Sequence, residues 1–196
     1  MSKKKILGVI DMQNDFIDGA LGTKEAQAIV PNVAKKVKGC DSNTIVLFTK
    51  DTHHADYLST QEGKNLPVKH CIYGTHGWSI NDEVSSAVKS ENGFMGATYS
   101  SPSVINSRIL KDGFGSTVLV DAIQAISDIE GIESIELIGL CTDICVISNA
   151  ITLKTFFPEI PITVDASCCA GVTPQSHKNA LEAMKMCQIN IINEED

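Results

Sequence analysis

The sequence predicts a three-layer α/β domain built on a mainly parallel six-stranded sheet. Short apolar, β-branched runs alternate with helix-period stretches along the chain, the pattern of a parallel sheet covered by helices on both faces. No linker, internal repeat or low-complexity segment interrupts that alternation, so residues 1–196 are expected to form one domain.

The elements follow in order. Lys5–Ile10 reads as a buried strand, Glu25–Val37 as a helix with Ala, Val and Ile on one face, and Thr44–Phe48 as a second strand. Lys50–Trp78 is long, polar and rich in His and Gly, which marks a functional loop. Asn81–Lys89 fits a short helix, and Glu91–Ser103, with its Gly, Ser, Asn and Pro, an inserted loop. Val104–Leu110 is taken as the third strand and Ser116–Ile126 as a helix capped by Ser116. Ser134–Leu140 is a strongly apolar strand, Asp143–Phe157 a helix and Ile160–Val164 a strand. Pro174–Met186 is a helix with Thr173 as N-cap, and Gln188–Ile192 closes the sheet.

Composition narrows the function classes. The net charge of −8 argues against a nucleic-acid surface, and Lys3, Lys4 and Lys5 read as the solvated start of the first strand. No apolar stretch approaches the roughly 20 residues that cross a bilayer, and no signal-peptide pattern follows the lysines. A cytoplasmic protein with no membrane partner is expected. The seven cysteines fit no zinc module or disulfide framework, so most should be small core thiols.

Ligands in such sheets bind outside the carboxyl ends of the strands, and three reactive groups fall there. Asp11 directly follows the first strand, where partial desolvation raises a carboxyl pKa toward the range useful for proton transfer. Alone it would also suit a turn or a cap. Cys145, in Cys141-Thr142-Asp143-Ile144-Cys145-Val146, enters a helix straight after an apolar strand. A helix N-terminus there should lower its thiol pKa from about 8.5 toward neutrality, and backbone N–H groups near Cys141 and Cys145 could hold an oxyanion. A Cys141–Cys145 redox dithiol is the alternative, although redox motifs space their cysteines more closely. Lys111 follows the predicted third strand, where it would favour a thiolate. Asp51, His53 and, beyond the loop, His70 have the chemistry of zinc, manganese or iron ligands. His54 and His76 rank lower, and His177 reads as the exposed start of a helix.

Two stretches, Val9-Ile10-Asp11-Met12-Gln13-Asn14-Asp15-Phe16 and Gly139-Leu140-Cys141-Thr142-Asp143-Ile144-Cys145-Val146, together resemble the opening and nucleophile motifs of the isochorismatase-like cysteine hydrolases, which include nicotinamidases. Thr49–His53 with Pro67–Thr75 is similar to the nicotinamidase metal region, and Asp165–Ala170 also fits the family pattern. The resemblance implies the isochorismatase-like hydrolase fold and an Asp11–Lys111–Cys145 triad. Lys111 is preferred over Lys89, which a rival alignment through Glu91–Gly96 would bring into place. It also implies a cis peptide near Leu140–Cys141, an oxyanion hole from the Cys141 and Cys145 backbone, Phe16 and Gln13 against substrate, and a divalent metal on Asp51, His53 and His70. A fourth ligand is open between Asp56 and Ser59. No organic cofactor is implied. The expected partners are a small amide substrate, nicotinamide first, and further copies of the chain in a homo-oligomer. A metal-independent amidase or N-carbamoyl hydrolase, and a non-catalytic binding or scaffold relative, are the rival readings. Isochorismatase itself cleaves an enol ether and has no need of the Cys145 thiol.

Overall fold

The structure is a computed structural model that describes residues 2–92, 104–105 and 108–194. Among these residues the sheet has seven strands: β1 Lys4–Ile10, β2 Thr44–Asp51, β3 Val104–Ile105, β4 Arg108–Lys111, β5 Ile132–Leu140, β6 Ile162–Ala170 and β7 Asn190–Ile192. Their spatial order is β3-β4-β2-β1-β5-β6-β7. Six strands run parallel, and β3 alone is antiparallel, Val104 opposite Ile109 and Ile105 opposite Arg108. The expected single strand Val104–Leu110 is therefore two. Its Asn-Ser pair at 106–107, turn-prone residues that interrupt the apolar run, lies outside the described residues, as does most of the expected insertion Glu91–Ser103.

Helices cover both faces, as the alternation predicts. On one side α5 Thr117–Glu130, α6 Ile147–Phe156 and α7 Pro174–Met186 bury Leu119, Ile123, Ala150, Leu153 and Leu181 against the sheet. On the other, α1 Asn14–Ile17, α2 Lys24–Lys38 and α4 Asp82–Ser86 bury Ile17, Val30, Val33 and Val84. A short helix α3, Gln61–Asn65, lies within the long loop after β2. Ser116 caps α5 by accepting the Leu119 N–H, and Thr173 caps α7 by accepting that of Ser176. No described helix is long and apolar enough to cross a membrane.

Two backbone features shape the carboxyl edge. Asp11 has φ +45°, a left-handed conformation that Asp tolerates better than most residues. Gly139 has φ +115°, and a Cβ there would strike the Ile10 carbonyl, so glycine is required for the end of β5 to close on the end of β1. The following peptide, Leu140–Cys141, is cis.

Candidate active site and metal centre

The strand order β4-β2-β1-β5 lines up four parallel carboxyl ends, and each supplies one reactive group. Lys111 ends β4 in register with Asp51, which ends β2. Asp11 follows β1, and Cys145 sits in a π-type turn, Thr142–Val146, between β5 and α6. Lys111 Nζ lies 2.7 Å from Asp11 Oδ2, 3.5 Å from Cys145 Sγ and 3.4 Å from Asp51 Oδ1, and donates to the Gly113 carbonyl at 3.0 Å. Asp11 is wholly buried, and Lys111 and Cys145 are 6% and 5% exposed. The Thr49 hydroxyl donates to Asp11 Oδ1 at 2.6 Å and accepts the Asp11 N–H at 3.1 Å, locking the carboxylate plane. Oδ2 accepts no aligned hydrogen bond from the described residues; the Lys111 ammonium touches it as a charge, and a lone pair stays open to a proton.

Burial pushes the Asp11 carboxyl above its ordinary pKa, and Asp51 adds to this against the opposing pull of Lys111. Burial alone would lower Lys111, but the charges of Asp11, Cys145 and Asp51 outweigh it and hold the amine well above its ordinary value. Burial first, then the Asp11 charge, raise the Cys145 thiol well above its ordinary value. This corrects the expectation of a thiol shifted toward neutrality. The helix-end field is a partial charge, and at this depth desolvation and a full carboxylate charge exceed it. Cys145 therefore rests as a thiol and Lys111 as an ammonium, with the thiol beside the Asp11 carboxyl.

Next to the trio, Asp51, His53, Glu62 and His70 bring four ligand atoms within 4.8 Å of one another. His53 Nε2 is 2.9 Å from Asp51 Oδ2 and 3.5 Å from Glu62 Oε1; His70 Nε2 is 3.5 Å and 3.7 Å from the same atoms. The Val68 carbonyl lies 2.8 Å from His70 Nδ1, so Nδ1 carries the proton and the Nε2 lone pair faces the cluster. His53 Nε2 is buried without a hydrogen bond. An orphaned imidazole nitrogen facing two carboxylates and a second imidazole fits a divalent cation. Burial would raise the Asp51 carboxyl, yet the His53 and His70 imidazoles close beside it, with the Lys111 charge behind, hold it well below the carboxylate range.

Glu62 is the residue that sequence reasoning missed. It lies just beyond Asp56 and Ser59, in α3, where Thr60 caps the helix by accepting the Gly63 N–H. A Cβ on Gly63 would strike the Tyr57 carbonyl, so this glycine lets α3 press against the preceding turn and turn Glu62 inward. Neither candidate named for the fourth position joins the cluster, and Ser59 Oγ bonds instead to the Asp56 carbonyl.

The remaining candidates are placed as follows. Gln13 is fully buried, its amide donating to the Asp51 and Trp78 carbonyls and accepting the Asp51 N–H; it holds Asp51 by the backbone. The Phe16 ring lies 5.5 Å from that of His70. Lys89 is exposed and donates to the Cys40 carbonyl. His54 is exposed near Tyr73, and His76 meets Asn14. His177 is half-buried, its Nδ1 2.7 Å from Thr142 Oγ1, so it reaches the Thr142–Val146 turn from α7. A cleft of about 650 Å³ opens beside His53 and Glu62, walled by Gly113, Phe114 and Ile144.

Known proteins of similar sequence and fold carry related names. A nicotinamidase of Schizosaccharomyces pombe is 24% identical over 100% of this chain and 96% of its own length. A probable inactive nicotinamidase of Arabidopsis thaliana is 26% identical over 90% of this chain and 86% of its own. Among solved structures, a pyrazinamidase/nicotinamidase of Streptococcus mutans has 26% identity and a TM-score of 0.77, over 96% of this chain and 100% of that one. A pyrazinamidase of Pyrococcus horikoshii in complex with zinc shares the fold at a TM-score of 0.73 and 21% identity, covering 97% and 99% of the two chains. The family model for the isochorismatase domain matches residues 5–196, and the chain belongs to the isochorismatase family.

Proposed function

We propose that the chain is an amidohydrolase that cleaves the C–N bond of a small aromatic amide of the nicotinamide type through a Cys145 thioester. The observation that carries this is the single ammonium of Lys111 bridging a buried carboxylate and a buried thiol at 2.7 Å and 3.5 Å. Asp11 Oδ2 takes the thiol proton as Cys145 Sγ forms a bond to the amide carbon, and the carbonyl electrons move to oxygen. Backbone N–H groups of Cys141 and Cys145 receive that oxyanion, and Lys111 balances the added negative charge. As the oxyanion collapses, the C–N bond breaks and Asp11 returns the proton to the departing ammonia. Asp11 then takes a proton from water, whose oxygen attacks the thioester; the C–S bond breaks to release the acid, and Asp11 passes its proton to the sulfur, restoring the thiol.

Asp51, His53, Glu62 and His70 would hold a divalent cation, zinc, manganese or iron, that polarises substrate or water beside the thioester. Because Asp51 also touches Lys111, a ligand of the ion and the catalytic ammonium share one carboxylate. Phe16 and Phe114 offer the apolar walls for the substrate ring. The name of the Arabidopsis relative raises the non-catalytic reading, but the three groups of the site are all present here and mutually in contact.

The test is an ammonia-release assay over nicotinamide, pyrazinamide, a carbamoyl compound and an aliphatic amide, with and without chelator. Release from the two aromatic amides, lost on chelation and restored by added metal, is expected. Release from none of them would overturn the amidase reading, and full release after chelation would overturn the role of the ion. For the centre itself, Glu62→Gln should weaken zinc binding by about 10- to 100-fold, read by calorimetry with the metal alone. An unchanged affinity would remove Glu62 from the ligand set.

A further inference from the structure

Asn149 lies in the first turn of α6, four residues after Cys145, and is 1% exposed. Its amide is fully engaged. Nδ2 donates to the Cys145 carbonyl at 2.8 Å and the Phe114 carbonyl at 3.1 Å, while Oδ1 accepts the Ser116 N–H at 3.0 Å. Two carbonyls and one N–H as partners fix which way the amide points. The partners come from two segments that meet nowhere in sequence. Cys145 belongs to the nucleophile turn, and Phe114 and Ser116 belong to the loop between β4 and α5.

That same loop steers the catalytic ammonium, because Gly113 accepts a hydrogen bond from Lys111 Nζ at 3.0 Å. It is also seated tightly on α6. A Cβ on Gly115 would lie 3.2 Å from Thr152 Oγ1 and 3.5 Å from the Ser148 carbonyl. We propose that Asn149 is a positioning residue that ties the Lys111 loop to the nucleophile turn and thereby sets the ammonium at the Cys145 sulfur. This rests on the reading of Cys145 and Lys111 as the reacting pair. A residue that merely capped α5 would support the fold and leave the sulfur's electrostatics alone.

Asn149→Ser separates the two roles. A serine hydroxyl in a helix can bond the carbonyl four residues back, here that of Cys145, but is too short to reach the loop. The substitution is neutral, so it adds no charge of its own beside the thiol. Where Asn149→Ser does not fold, Asn149→Thr makes the same back-bond and serves instead. The measurements are kcat and KM for ammonia release, and the pH midpoint of Cys145 alkylation by iodoacetamide, followed by mass spectrometry on protein shown folded by circular dichroism. The expected result is a fall in kcat of about tenfold or more with KM changed by less than about threefold. The alkylation midpoint should move up as the thiolate loses its cation. An unchanged midpoint overturns the proposal, and so does a kcat that falls only in proportion to the folded fraction. If the wild-type chain releases ammonia from no amide, the functional reading fails, while the alkylation midpoint still decides the role of Asn149.

Discussion

Cys145→Ala is expected to lower ammonia release on the order of 10⁴-fold or more, while Cys141→Ala keeps most of it. The two thiols stand four residues apart in one segment, and both are raised by burial, so ionisation alone does not separate them. Burial, then the neighbouring Asp143 charge, push Cys141 up to about 12. Cys145 is also well above its ordinary value. What separates them is the company each keeps. The Cys145 sulfur lies 3.5 Å from Lys111 Nζ and beside the Asp11 carboxylate, so a proton acceptor and a cation wait on the same atom. Their packing differs as well: Cys145 belongs to the α5–α6–α7 side of the core, and Cys141 packs against the α1–α2–α4 side. The alanine variants remove only one sulfur each, and a small buried void should leave both folded. Steady-state rates on nicotinamide, with folding checked by circular dichroism, decide the matter. Equal activity of Cys145→Ala and wild type removes the nucleophile assignment; equal losses in the two variants remove the distinction between them.

Asp11, Lys111 and Cys145 were legible in the sequence because each stands where an apolar strand gives out, and parallel strands bring such ends to one edge. Asp51, His53 and His70 were legible as metal-ligand residue types flanking one loop. Glu62 was not. On a polar stretch an acid reads as a solvated helix residue, and its inward turn depends on Gly63 meeting the Tyr57 backbone, a contact between loop segments with no period to reveal it. Asn149 was hidden for a related reason. An Asn on a helix carries no signal of its burial until the β4–α5 loop is laid over it. The thiol's ionisation is not legible in the sequence because position relative to a helix end is a local property, whereas desolvation and the distance to Asp11 are set by the whole sheet edge. Val104–Leu110 reads as one strand because its apolar residues run on both sides of the Asn-Ser pair at 106–107.

Lys111→Met should be the most costly single change to stability, and a costly one to activity. Methionine retains most of the stem's volume, so the change isolates the ammonium. The ammonium is the opposing charge that pulls the Asp11 carboxyl down against burial, and it also faces Asp51 and Cys145. Removing one partner of a buried ion pair costs about 3–5 kcal/mol, and here the partner left behind is a carboxylate with no exposure. The cost depends on pH. In the wild type the folded-state pKa of Asp11 is already raised, and without Lys111 it rises further. A carboxyl with a raised folded pKa binds its proton more tightly when folded. Its contribution is thus favourable in acid and is lost as pH climbs from the unfolded value through the folded one. The stability gap between Lys111→Met and wild type is therefore expected to be narrow in acid, where Asp11 is protonated in the variant, and to widen toward neutral pH. Urea unfolding at a series of pH values tests this, and a gap that is constant or wider in acid would contradict the charge account. Ammonia release should fall by about 10²- to 10³-fold, the scale of losing one preorganised charge at a developing anion. That loss should persist at acid pH even where stability recovers, because a protonated Asp11 cannot take the proton from Cys145.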